Sequence, residues 1–238
     1  MSGKTFVSVL TPTFNRRKFL PSIIECYKLQ TYPKDRMEWI ILDDGEDCVR
    51  DVFEEAAKVI PNIRYIYHPT KLLIGAKRNI LNKEARGEIL VAMDDDDYYV
   101  PDRVHHAVVR LNSKPSIPVA GSSELYLYYT DVKEIYKFGP YGPNHATNGT
   151  MAWRKSYALT HTYDETVANA EERSFLNNYT TPIMQLDPRK VMLVMSHSDN
   201  TYNKKQFRET PSPFVTKTSL KLSSFIKPLN LRTFFESA

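Results

Sequence analysis

Cysteine, glycine and long apolar runs are all scarce in this sequence, and each scarcity removes a class of protein. Cys26 and Cys48 are the only cysteines in 238 residues, and they are not spaced as a CxxC pair. A disulfide framework is therefore not expected, and a reducing cytosol is the default compartment. Eight glycines are far too few for a collagen-like repeat, which needs one residue in three. No apolar run approaches the roughly 18–20 residues that span a bilayer. The first one, residues 6–10, is ended by Pro12, Asn15 and Arg16, which is too short for a signal-peptide core. A cytoplasmic location is expected on that basis. Charge of one sign is also lacking: 32 Lys plus Arg against 28 Asp plus Glu leave +4. That small excess, without basic stripes, does not suggest a nucleic-acid partner. Asn-x-Thr sequons at Asn148 and Asn178 read as chance, because such short motifs recur without function.

What the chain does have is a globular composition, 42% hydrophobic and 25% charged, enough for one sizeable core. Its first 110 residues alternate two periodicities. Apolar runs at 6–10, 38–42, 62–67 and 88–93 read as buried strands. Between them, 18–30, 49–59 and 75–85 carry helical spacing, with Ile74, Ile80 and Leu81 as inward candidates on the third. Pro101 suits the first turn of a further helix through Leu111. Such alternation implies parallel βαβ units with helices on both faces. After residue 115 the pattern changes to short strands at 119–121, 124–129 and 134–138, read as a meander. A breaker-rich loop at 139–149, a short helix at 170–179 and strands at 183–186 and 191–195 follow. From residue 209 onward Pro, Ser, Thr and Lys dominate, and 210–238 reads as a tail. Its Leu and Phe residues would pack on the domain, pair two copies in a homodimer, or touch an anionic membrane surface.

The sharpest feature is the run Asp94, Asp95, Asp96 and Asp97 directly after an apolar strand. Adjacent carboxylates repel by about 1 kcal/mol per close pair even in water. A fold tolerates them where a cation or donors compensate, and hard oxygens at a strand end suit Mg²⁺ or Mn²⁺ shared with substrate phosphates. The alternative is a solvated acidic turn. Asp43 and Asp44 end a neighbouring strand, and Thr11-Pro12-Thr13-Phe14-Asn15 ends a third. In parallel sheets all three fall on the ligand-binding edge. There an Asp accepts from a base or ribose, Phe14 offers a stacking face, and Arg78 offers a guanidinium fork to a phosphate or a base carbonyl.

In order and spacing, these segments resemble the family-2 type of glycosyltransferase with the GT-A fold. The residues that carry the resemblance run from Val7 to Asn15, then Gln30 to Pro33, Trp39 to Gly45, Gly75 to Asn79, Ala85 to Glu88, Met93 to Asp97 and Pro101 to Arg103. The match is dense over residues 5–112 and thin over 113–205. The resemblance implies a Rossmann-like α/β domain at 1–209, with a mostly parallel central sheet flanked by helices. The nucleotide-binding half would be about 1–112 and a smaller, mixed acceptor half about 113–209. It implies a nucleotide-diphosphate-sugar donor, UDP-sugar favoured, a glycan or glycoconjugate acceptor, and a divalent metal.

Residue by residue, the resemblance places Thr11, Pro12 and Phe14 at the base, with Asp44 holding a uracil-type ring and Asp43 behind it. Arg78 would face the nucleotide. Asp96 is the preferred direct metal ligand, with Asp94 or Asp95 serving ribose or water-mediated contacts. An Asp at the middle of that motif departs from the family's usual small residue, so the division of labour stays open. Glu172, with Glu171 as runner-up, falls where the family keeps its general base. His197 would complete the metal shell, and Lys204 and Lys205 would neutralise a diphosphate. Asn148 and Trp153 would shape the acceptor or sugar pocket. Two rivals remain: a nucleotidyltransferase, which usually carries a Gly-rich phosphate loop after its first strand, where this chain has no Gly; and a non-catalytic sugar-nucleotide or glycan-binding module, which needs no base.

Overall fold

The computed structural model describes residues 5–197, 200 and 204–237. The expected alternation is present. Strands β1 (Val7–Thr13), β2 (Met37–Asp43), β3 (Ile63–Tyr67) and β4 (Ile89–Ala92) run parallel, with β4 beside β1, β1 beside β2 and β2 beside β3. All residues of β1, β2 and β4 are buried, which is why they read as continuous apolar runs rather than alternating ones. Helices α1 (Leu20–Lys28), α2 (Arg50–Ala57), α3 (Ile74–Glu84) and α4 (Arg103–Ser113) supply the crossovers, and the short helices α5 (Lys155–Ala158) and α7 (Gln206–Glu209) belong to the second half. Pro101 and Asp102 form a turn just ahead of α4 rather than its first turn.

The second half adds one antiparallel strand to this sheet. Strand β9 (Ala152–Arg154) pairs with β4 on one side and with β6 (Val119–Gly121) on the other, and β10 (Ile183–Gln185) extends β6 in parallel. The seven-stranded order is thus β10-β6-β9-β4-β1-β2-β3. A second sheet, in the order β12-β8-β7-β11-β5, contains β5 (Tyr98–Tyr99), β7 (Leu125–Tyr129), β8 (Glu134–Phe138), β11 (Met192–Ser196) and β12 (Val215–Lys217).

The meander expected over 119–138 is therefore corrected. Only β7 and β8 form a hairpin; β6 lies in the other sheet. The ladder breaks at Ser122 and Ser123, whose amides donate to Thr150 Oγ1 (3.0 Å) and Gln185 Oε1 (2.8 Å) instead of to a neighbouring strand. The helix expected over 170–179 is also shorter. Helix α6 is only Glu172–Phe175, because Ala170 before it and Asn177, Asn178 and Tyr179 after it hold left-handed φ values of 48–59°.

The segment read as a tail is part of the packed domain. Helices α8 (Leu222–Phe225) and α9 (Leu229–Ser237) place Leu222, Phe225, Ile226, Leu231 and Phe235 in the same core as β1 and β4. Each such side chain contributes roughly 1.5–3 kcal/mol of burial, which outweighs the weak helix signal of a Pro- and Ser-rich stretch. Phe235 meets Tyr98 edge-on at 6.0 Å, and Phe234 meets Phe19 at 6.1 Å. No helix among the described residues is long and apolar enough to cross a membrane.

Candidate active site

The carboxyl ends of β1, β2 and β4 gather the predicted residues, but most carboxylates there already have protein partners. Asp43 is a structural cap: it accepts from Gly45 N (2.9 Å), Val49 N (3.1 Å) and the Tyr65 hydroxyl. Asp44 is 4% exposed, forms an ion pair with Lys77 and accepts from Leu72 N at 2.6 Å. Lys77 also donates to the Thr13 carbonyl at 3.0 Å. Burial lowers the Lys77 pKa, and Asp44 opposes that change. Phe14 is half-buried, with the Lys71 ammonium 4.3 Å and the Lys77 ammonium 5.4 Å from its ring centre. Pro12 is buried in β1. Thr11 is corrected from a base contact to a core residue: its hydroxyl donates to Met93 O (2.6 Å) and accepts from Trp39 Nε1 (2.8 Å).

Helix α3 explains much of this arrangement. The inward residues expected from its apolar spacing included Ile74 and Ile80. The buried face is instead Gly75, Lys77, Arg78, Leu81 and Asn82. Lys77 and Arg78 turn inward because carboxylates await them, and a buried cation is stable only when paired. Gly75 lets the helix approach closely: a Cβ there would sit 2.1 Å from the Asp164 carbonyl oxygen.

Arg78 is the hub. Its Nε donates to Glu171 at 2.8 Å and its Nη1 to Asp94 at 3.0 Å. With the Asn148 amide oriented by this network, its oxygen accepts from Nη1 at 2.8 Å and its nitrogen donates to the Tyr163 hydroxyl at 2.7 Å. The expectation that Arg78 presents its fork to a nucleotide is corrected accordingly: the guanidinium is 7% exposed and already spans both halves of the fold. Although burial opposes charge there, Asp94 and Glu171 more than compensate and raise its pKa.

Glu171 and Glu172 therefore have different environments. Glu171 is tied to Arg78. Glu172 is only partly buried, and among the described residues no hydrogen bond to a cation holds it. Burial first, then the adjacent Glu171 charge, push its pKa up to about 7, against a smaller opposing effect from Arg78. A carboxyl poised near neutrality is what a general base requires.

The Asp94–Asp97 run is equally differentiated. Asp94 faces Arg78, and its amide donates to the Tyr99 hydroxyl at 2.8 Å. Asp95 is 6% exposed and its Oδ2 has no hydrogen-bond partner among the described residues; burial and the charge of Asp96 raise its pKa well above the usual range. Asp96 meets His197 Nε2 and Asn200 Nδ2, each at 3.3 Å, with Arg16 Nη2 at 3.9 Å. Burial works against its charge, yet His197, Lys204 and Arg16 bring its pKa down to about 2. Asp97 accepts from Met195 N at 2.8 Å, which ties the motif to β11. The His197 ring rests on Phe19 at 4.5 Å, so the α9 aromatics reach this corner through Phe19.

No cluster of three or more metal-ligating side chains occurs among the described residues. Asp96 and His197 nevertheless fit a divalent cation. They offer a charged hard oxygen and an imidazole nitrogen, and Mg²⁺ or Mn²⁺ commonly takes one or two protein ligands and completes its shell with substrate phosphates and water.

Other predicted residues lie apart. Lys204 donates to Met195 O at 2.8 Å, close enough to Asp96 to lower that group's pKa. Lys205 pairs with Asp131 at 3.1 Å, beside Arg208, and is half-exposed. Trp153, expected to shape the acceptor or sugar pocket, is a core residue: it is 1% exposed, donates to Asn82 Oδ1 at 3.1 Å and packs edge-on against Phe175. Sequence reasoning missed Lys77, Arg16, Tyr163 and Asn200. Only Lys77, next to Arg78 in the quoted segment, carried a signal.

The mostly parallel α/β sheet with an acidic edge is that of a GT-A fold, and comparison with known proteins supports that class. A crystal structure of TarS from Staphylococcus aureus in complex with UDP-GlcNAc superposes with a TM-score of 0.62 at 18% identity, covering 82% of this chain and 60% of that one. The mannosyltransferase PcManGT from Pyrobaculum calidifontis, in complex with GDP-Man and Mn²⁺, gives 0.65 at 15% identity over 82% and 58%. Residues 8–162 match the profile of Glycosyl transferase family 2, and the chain belongs to that family. In sequence it is 35% identical over 97 residues to the putative glycosyltransferase EpsH of Bacillus subtilis, 40% of this chain and 27% of that protein. It is 28% identical over 102 residues to the putative teichuronic acid biosynthesis glycosyltransferase TuaG of the same organism, 42% and 40%. The matched region thus spans well under half of these curated relatives.

Proposed function

We propose that this chain is an inverting, metal-dependent glycosyltransferase that moves a sugar from a nucleotide-diphosphate sugar to a hydroxyl of a glycan or glycoconjugate. The observation that carries the reading is the division between Glu171 and Glu172. One carboxylate is locked to Arg78, and its neighbour is poised near pH 7. Glu172 takes the proton of the acceptor hydroxyl as that oxygen attacks the anomeric carbon, and the nucleoside diphosphate leaves from the opposite face. Glu171, Arg78, Asn148 and Tyr163 are positioning residues that fix the base relative to Asp94. A base and a leaving-group site drawn from opposite halves of the fold suit inversion.

Asp96 and His197 would hold the cation, and a bound divalent ion supplies charge neutralisation for a departing diphosphate. Phe14, flanked by two lysines, and the buried Asp44–Lys77 pair form the base end of the donor site. A UDP-sugar is favoured because TarS, similar in both sequence and fold, has been crystallised with UDP-GlcNAc.

The test is incubation with UDP- and GDP-sugars and Mn²⁺ or Mg²⁺, following free nucleotide and the anomeric configuration of product. Retention of configuration refutes direct displacement. Absence of metal-dependent donor turnover, including slow hydrolysis, with donor binding intact would favour the binding-module alternative.

A further inference from the structure

Exposed aromatic side chains are not scattered over this molecule. Four are well exposed among the described residues: Tyr67 (39%), Tyr141 (42%), Phe207 (41%) and Phe214 (42%). The last three lie together. Tyr141 meets Phe214 at 5.2 Å and His145 at 4.9 Å between ring centres, and His145 stacks on Tyr179 at 4.8 Å with an interplanar angle of 23°. A groove of about 350 Å³ opens beside Tyr141, lined by Phe138, Phe207, Gln206, Thr210 and Ser212. That volume lies within the range of small-molecule pockets. Apolar faces with a few hydroxyl and amide groups at the rim match a pyranose, which has C–H faces and a hydroxyl edge.

The aromatic row ends at the candidate base. After α6 the chain folds back, with Asn178 N donating to Arg173 O at 2.8 Å, in a left-handed turn that holds Tyr179 at φ 59°. Tyr179 thus follows directly on the short helix that opens with Glu172, and burial first, then the Glu172 charge, push the Tyr179 pKa up to about 12. Burial lowers the pKa of the His145 ring, so that ring brings no positive charge to the row near neutral pH.

The row is also held rigid. Gly139 N donates to Phe214 O at 2.9 Å, Tyr141 N to Ser123 O at 3.3 Å, and Gln185 Nε2 to Pro143 O at 2.8 Å and His145 O at 3.2 Å. Loops pinned in this way lose little further entropy on binding. Beside Tyr141, a Cβ added at Gly142 would meet nothing within 4 Å, so the chain there is open to solvent.

We infer that Tyr179, His145, Tyr141 and Phe214 form an extended acceptor track, on which a neutral oligosaccharide lies with its reactive hydroxyl at Glu172. This inference rests on the glycosyl-transfer reading above. It adds that the acceptor is an oligomer, gripped several sugar residues away from the reacting one.

The test compares the wild-type chain with a Tyr141→Ala/Phe214→Ala double variant, matched for melting temperature. An array of neutral oligosaccharides graded from one to five sugar residues measures retention, and UDP-sugar hydrolysis with Mn²⁺ is measured in parallel. The expected result is wild-type retention that rises with oligomer length for at least one glycan class. The double variant should bind that class at least about tenfold more weakly, since binding energy concentrates in a few aromatic anchors. Its donor hydrolysis should be unchanged. Wild-type retention that is absent, independent of length, or unaffected by the double variant overturns the track. If donor hydrolysis is absent from the wild type as well, the glycosyl-transfer reading itself has failed, which is a separate outcome.

Discussion

Replacing Glu172 by Gln keeps the shape of the side chain and removes its charge. If Glu172 is the base, two quantities that usually fall together should move in opposite directions. Burial, with the adjacent Glu171, raises this carboxyl from 4.5 in the unfolded chain to about 7 in the folded one. Each tenfold change in proton affinity is worth about 1.4 kcal/mol, so ionised Glu172 costs the native state about 3 kcal/mol at pH 8. The sign follows from linkage. The folded pKa of an acid is raised here, so the penalty is absent below about pH 4.5, grows as pH rises through about 7, and is then constant. Glu172→Gln should therefore stabilise the protein, by about 2–3 kcal/mol more at pH 8 than at pH 5. At roughly 2–4 °C per kcal/mol for a domain of this size, the melting-temperature gain should be about 5–10 °C larger at pH 8. Over the same range the wild-type turnover should rise with pH to a plateau above about 7. The variant should lose on the order of 10²–10⁴ in turnover, together with that pH limb. Melting scans and initial rates across pH 5–8 measure both. A variant that keeps its rate, or a stability gain that does not grow with pH, refutes the assignment of Glu172.

Other outcomes follow from the same geometry. Asp96→Asn should lower the metal-free melting temperature at neutral pH, because the charge that His197, Lys204 and Arg16 stabilise is lost, and should abolish the rise produced by Mn²⁺ with UDP, read by thermal shift. Gly75→Ala forces a Cβ to 2.1 Å from the Asp164 carbonyl. It should destabilise by about 1–3 kcal/mol, with a rise in donor KM as Lys77 and Arg78 move away from their carboxylates. Ala170→Gly relieves a left-handed φ of 54° and should add up to about 1 kcal/mol of stability, while turnover falls because the segment ahead of Glu171 becomes freer. Truncation before Leu222 removes five buried side chains and should lower stability by several kcal/mol, seen as loss of a cooperative melt. Retention of the full melt would contradict the packing of α8 and α9.

Much of this was legible because it is local. The buried parallel strands had to be apolar throughout, so β1, β2 and β4 showed plainly, and the acidic residues at their ends followed from chain order. The acceptor half was harder to read. Its strands are three to five residues long, too short for periodicity, and which sheet each joins depends on side chains such as Thr150 and Gln185 capturing two serine amides. The α8–α9 segment was missed because its helices owe their stability to tertiary burial rather than to intrinsic propensity.

By itself the sequence determined the α/β class, the family, the acidic edge and the position of the Glu171–Glu172 pair, because each is set by residue type, order and spacing along one chain. Tertiary structure decided what each charged group does. Arg78 became a clamp rather than a phosphate ligand because Asp94, Glu171 and Asn148 converge on it from distant segments. Glu172 was left poised because its neighbour took the Arg78 guanidinium. Trp153 and Thr11 went to the core and Tyr141 to the surface. Burial and electrostatic pairing are properties of three-dimensional neighbourhoods, and the order of residues along the chain does not contain them.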